Sequence, residues 1–78
     1  MKEFKVLGTG CATCRATVEL IRKEAKAAGI EIQLEKIEDI AEIMSHGVMS
    51  TPAVLVDGKI VHAGGMPLKA TVQGWLRA

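Results

Sequence analysis

A change of hydrophobic period at residue 11 restricts this chain more than any other feature. Residues 3–7 (Glu3-Phe4-Lys5-Val6-Leu7) read as a short strand, apolar at Phe4 and Val6 with Leu7 at its end, and Gly8-Thr9-Gly10 breaks it. From Cys11 onward, Cys14, Val18, Ile21, Ala25 and Ala28 step by four, three, four and three, which is one face of a helix. Glu19 and Lys23 have the spacing of a surface ion pair, and Gly29 suits the residue that ends the helix. Cys11-Ala12-Thr13-Cys14 therefore sits where a strand hands over to a helix.

The remaining segments extend this pattern. Ile30, Ile32 and Leu34 alternate with Glu31, Gln33 and Glu35, so residues 30–35 read as a half-buried strand. Asp39 and Glu42 are spaced as a capping box for a short second helix ending near Gly47, with Ile40, Ile43 and Met44 as its apolar face. Asp57-Gly58 between Ala53-Val54-Leu55-Val56 and Lys59-Ile60-Val61-His62 predicts a hairpin. After Gly64-Gly65, Pro67 suits the first turn of a last helix with apolar Leu68, Val72, Trp75 and Leu76. The expected class is α/β in the order β-α-β-α-β-β-α. The first two strands should be parallel with a right-handed crossover, in a four-stranded mixed sheet with helices on both faces. Residues 1–78 are expected to form a single domain.

Composition narrows the partners. Ten basic and nine acidic residues leave a formal charge of +1, which argues against nucleic acid or an anionic membrane as the main partner. Phe4 and Trp75 are the only aromatic residues, too few for a base-stacking platform. The apolar fraction of 49% is enough for a packed core. No apolar leader follows Met1-Lys2-Glu3-Phe4-Lys5, so a cytoplasmic location is expected, and a monomer. Two cysteines three apart close too short a loop to add much stability, which leaves chemistry as their better explanation.

Residues three apart on a helix share a face, so the two sulfurs are within reach of a bond. Cys11 is expected at the helix N-terminus, where unpaired N–H groups and the helix dipole stabilise a thiolate. Cys14 is expected one turn in, on the buried stripe with Val18. That asymmetry suits Cys11 as attacking thiolate and Cys14 as resolving thiol. Glycines at 8 and 10 would leave Cys11 unshielded. Arg15, the nearest cation in sequence, reads as a solvated side chain or as a further stabiliser of the thiolate. Met44 and Met66 read as core or near-core fillers, and Met49 as core or as an apolar docking patch. The charges at Glu19, Arg22, Lys23 and Lys26 read as the wet face of the first helix.

The whole chain resembles the small thioredoxin-like proteins of bacteria and archaea, often called redox-active disulfide protein 2. The resemblance rests on residues 6–14 (VLGTGCATC), on 47–53 (GVMSTPA), on Val56-Asp57-Gly58-Lys59 and on the closing helix. It implies a thioredoxin fold and a protein thiol–disulfide oxidoreductase with no bound cofactor. It also implies disulfide-containing protein substrates and a thioredoxin-reductase-like electron donor. Cys11 and Cys14 would be catalytic. Thr51-Pro52 would be a cis-proline turn facing the cysteines, the alternative being a trans proline that opens an edge strand. Gly10, Ala12, Thr13, Thr51, Pro52, Gly64 and Gly65 would contact substrate, although Gly64-Gly65 also reads simply as a turn before the last helix. Thioredoxins typically carry Gly-Pro between the cysteines and glutaredoxins Pro-Tyr; here the pair is Ala-Thr.

A second reading is a module that binds or transfers a metal or metalloid on the two thiolates, since Gly8-Thr9-Gly10-Cys11-Ala12-Thr13-Cys14 also resembles the loop of heavy-metal-associated domains. Those domains place a hairpin directly after the first helix, whereas here a strand and a helix intervene. A structural zinc site would need His46 and His62 as further ligands, and both read instead as ends of a helix and a strand.

Overall fold

Strands buried on both faces need helices on both sides, and this dictates the architecture. The computed structural model describes residues 2–10 and 12–78. Its elements are β1 (Lys2–Leu7), α1 (Ala12–Ala28), β2 (Ile32–Ile37), α2 (Ile40–Ser45), β3 (Ala53–Val56), β4 (Lys59–Ala63) and α3 (Lys69–Arg77). The sheet order is β2-β1-β3-β4, with β1 parallel to β2 and antiparallel to β3, and β3 antiparallel to β4. This is the expected α/β class.

Alternation along the two central strands sorts their side chains. Phe4, Val6 and Val54 pack with Val18, Ile21 and Ala25 of α1 and with Val72 and Leu76 of α3. Leu7, Ala53 and Leu55 pack on the other face with Ile37 and Ile43 of α2. Helices α1 and α3 thus cover one face and α2 the other.

Local chemistry sets the ends of the elements. Gly29, at φ +68°, closes α1: its N–H donates to Lys26 O and the N–H of Ile30 to Ala25 O, the paired bonds of a Schellman cap. Ile30 is thereby used to end the helix, and β2 starts at Ile32 and runs to Ile37, two residues later than the alternation predicts. Asp39 caps α2 by accepting from the N–H of Ala41. Asp57 and Gly58 both have positive φ, as a two-residue hairpin requires. The Asp57 side chain also accepts from the N–H of Glu3, tying the hairpin to the start of β1.

The hairpin carries a β-bulge. Leu55 pairs with Ile60 but Val54 with His62, so Val61 is the extra residue. The bulge changes parity, and His62 shares a face with Val54 on the side of α1 and α3.

Several sequence expectations fail for identifiable reasons. Ile40 is 62% and Met44 69% exposed, and Ile43 is the one buried residue of α2. A six-residue helix has too few turns to carry a broad apolar stripe. Met66 and Leu68 are likewise exposed, not core. Ala28 is exposed because α1, at about 25 Å, outruns strands of about 20 Å. Thr17 and Glu24 are buried instead; Thr17 Oγ1 donates to Thr13 O, and Glu24 accepts from Gln73 Nε2 of α3 at 2.9 Å. Glu19 pairs with Arg22 at 3.2 Å, not with Lys23. Pro67 lies before Leu68, the N-cap of α3, and so outside the first helical turn.

Burial within α2 gives a direct test. Ile43→Ala should lower unfolding free energy by about 2–4 kcal/mol, and Ile40→Ala by less than about 0.5 kcal/mol. Urea denaturation followed by circular dichroism measures both, and similar costs for the two would contradict the packing described.

Candidate functional site

The carboxyl end of β1 faces the first turn of α1 and the segment before β3, and among the described residues Gly8, Cys14 and Pro52 meet there. The N–H of Gly8 donates to Ile37 O at 2.9 Å, which carries the ladder between β1 and β2 one residue past Leu7. Cys14 lies on the inner side of α1 and is 1% exposed. A Cβ at Gly8 would collide with Cys14 Sγ, and would lie 3.1 Å from Cys14 Cβ and 4.0 Å from Pro52 Cα. Gly8 is therefore the residue that admits the Cys14 side chain beside the backbone of β1, next to Pro52. Gly8 itself is buried. Cys11, the expected nucleophile, lies outside the described residues.

Ala12 and Thr13 are exposed as the first residues of α1. Gly10 is half-buried with φ +80°, and a Cβ there would lie 2.7 Å from Glu38 Oε2. Arg15 Nη1 reaches Gly10 O at 3.4 Å. An acid and a base thus flank the residue before the Cys-x-x-Cys segment. Sequence reasoning missed Glu38, because nothing local in a residue 28 positions away points back to Gly10.

The peptide bond between Thr51 and Pro52 is cis; Thr51 is exposed and Pro52 buried. The Gly64-Gly65 turn is tied to it, since the N–H of Gly64 donates to Pro52 O at 2.9 Å. Gly64 and Gly65 have φ of +82° and +74°, conformations in which a Cβ is strained. His62 Nε2 lies 2.8 Å from Gly65 O; a carbonyl oxygen only accepts, so the ring N–H donates. The His62 ring also lies against Trp75, with centroids 6.0 Å apart. A chain of contacts therefore runs from α3 through His62 to the turn and on to Pro52. The bulge in β4 aims His62 at this position, a tertiary effect that alternation alone does not reveal.

Met49, two residues before Thr51, is 98% exposed and so lies outside the core. Among the described residues, no three or more His, Cys, Asp and Glu side chains cluster as metal ligands. Among the same residues, no helix is long and apolar enough to cross a membrane.

The fit of Cys14 against Gly8 yields a double-mutant test. Gly8→Ala should destabilise the reduced protein by about 1–3 kcal/mol through overpacking. In a Cys14→Ala background the same change should cost at least about 1 kcal/mol less. Urea titrations of the four proteins under reducing conditions give the coupling, and additive costs would contradict the contact.

Comparison with known proteins agrees with this geometry. The family described as thioredoxin domain matches residues 2–77. A thioredoxin of Methanothermobacter thermautotrophicus is 30% identical over 73 residues, covering 94% of this chain and 95% of the relative. A thioredoxin of Methanocaldococcus jannaschii is 36% identical over 67 residues, covering 86% and 77% respectively. With a family match along nearly its whole length and the sheet order and helix placement described above, the chain belongs to the thioredoxin-domain family.

Proposed function

We propose that residues 1–78 act as one domain that reduces protein disulfides, with Cys11 as nucleophile and Cys14 as resolving thiol. The observation that carries this reading is the seat of Cys14: buried near the start of α1, against the backbone at the end of β1 and beside Pro52. A sulfur held there is shielded from bulk solvent yet lies one helical turn from Cys11 in sequence. The two thioredoxin relatives support the same chemistry.

The first step forms one bond and breaks one. The Cys11 thiolate attacks a sulfur of the partner's disulfide, and the electron pair of the broken S–S bond leaves on the partner's second sulfur, which takes up a proton. Cys14 then gives up its proton and attacks Cys11 Sγ, expelling the partner's first sulfur as a thiolate. The partner gains two thiols and the pair becomes a disulfide. A dithiol, supplied in the cell by a thioredoxin-reductase-like protein, returns it to the reduced state. Cys11 directly precedes the 17-residue α1, whose first turn holds no acidic residue, so the unpaired N–H groups there favour the anion. An extended substrate segment would lie along the exposed backbone at Thr51, between Gly10, Ala12 and Thr13 on one side and Gly64-Gly65 on the other.

Dithiothreitol-driven reduction of insulin tests the proposal. Wild type should accelerate reduction well above the uncatalysed rate, and Cys11→Ser should fall to that background. Cys14→Ser should stop at a mixed disulfide visible by mass spectrometry under non-reducing conditions. Catalysis that persists in Cys11→Ser would overturn the assignment.

A further inference from the structure

Charge on this nearly neutral chain is strongly segregated. Arg15, Arg22, Lys23, Lys26 and Lys36 line the two grooves on either side of α1, with Glu19 as the only carboxylate among the exposed lining residues. These are five of the chain's ten basic residues. The rest of the chain carries the other five with eight acidic residues, so a formal +4 among the groove-lining residues stands against −3 over the remainder.

Each groove has an apolar floor. Between α1 and β2 it is built by buried Val18 and half-buried Leu34, below Arg15, Arg22 and Lys36. On the opposite flank it is built by half-buried Leu20, with exposed Met66 alongside, between Lys23 and Lys26. Val18, Leu34 and Leu20 are recessed, Met66 is exposed beside Leu20, and the cations stand at the rims. This arrangement fits a polypeptide that sets apolar side chains into the grooves and carboxylates at their edges. It suits a bilayer less well, because insertion needs a cluster of protruding apolar groups and Met66 is the one exposed large apolar side chain lining either groove. It suits nucleic acid less well too, because the face holds no aromatic ring on which a base could stack.

We propose that the outer face of α1 docks an acidic segment of the redox partner protein. This rests on the thiol–disulfide reading above and deepens it. The helix is about 25 Å long and begins at the residue after Cys11. A segment laid along it would hold its own disulfide near that end. The cationic face would also draw acidic partners by long-range attraction, an effect that salt screens.

Three cystine peptides with one common core test this, flanked by Asp and Glu, by Lys and Arg, or by Ser and Gly. With dithiothreitol as reductant, kcat/KM for the acidic peptide should exceed that for the basic one by about tenfold at low salt. The ratio should shrink to about twofold in half-molar salt. Lys23→Glu/Lys36→Glu, which changes one exposed cation at each groove, should lower the acidic-to-neutral ratio at least about threefold. Equal rates for acidic and basic peptides would overturn the proposal. Fluorescence anisotropy of the acidic peptide with Ser in place of Cys measures docking without chemistry. Binding that weakens in the double variant supports the surface, and no binding, or tighter binding to an oligonucleotide or to phosphatidylglycerol vesicles, overturns it. Failure of wild type to reduce even the neutral peptide would sink the redox reading, while the anisotropy arm would still report on the surface.

Discussion

The bare Cα of Gly8 is the constraint on which the rest of the site depends. Continuing the β1 ladder to Ile37 O holds this residue in line with the sheet. The missing side chain then lets the first turn of α1 press down until Cys14 meets the strand backbone. The approach fixes the angle at which α1 leaves the sheet, and Val18, Ile21 and Ala25 follow onto the same face as Phe4 and Val6. A larger residue at position 8 would lift the start of the helix and open the core beneath it.

Pro52 comes to the same place from the other central strand. Because β1 and β3 are neighbours, Leu7 pairs with Ala53, and the residues just beyond this pair, Gly8 and Pro52, lie side by side. The turn at Gly64-Gly65 is then drawn in by its bond to Pro52 O and held from behind by His62 and Trp75. The geometry at the end of the sheet is thus set by strand pairing, with the loops fastened to it.

Much of the fold could be read from local chemistry. Asp57-Gly58, Gly29 and Asp39 signal their turn and caps because the bonds they make lie mostly within a few residues. The alternation in β1 and the helical step from Cys14 to Ala25 are similarly self-contained. What escaped depends on distance or on extent. Ile40, Met44 and Leu68 are apolar yet exposed, since apolarity states a preference and burial needs an opposing surface. The role of Gly8, the approach of Glu38 to Gly10 and the placing of His62 against Trp75 each join segments far apart in the chain. For the candidate site, the Cys-x-x-Cys segment and Thr51-Pro52 were recognisable from their neighbours, whereas the packing that seats Cys14 was not.

The irregularity at Val61 has an effect on the outside of the sheet as well. Strand β4 is an edge, and its outer row of N–H and C=O groups has no partner among the strands described. A straight edge of that kind is a template on which a further strand from another molecule can be laid down. The extra residue twists the row partway along, so its donors and acceptors do not match the regular spacing of an incoming strand. The kink that turns one histidine inward thereby also guards the β4 flank of the sheet against strand-by-strand aggregation.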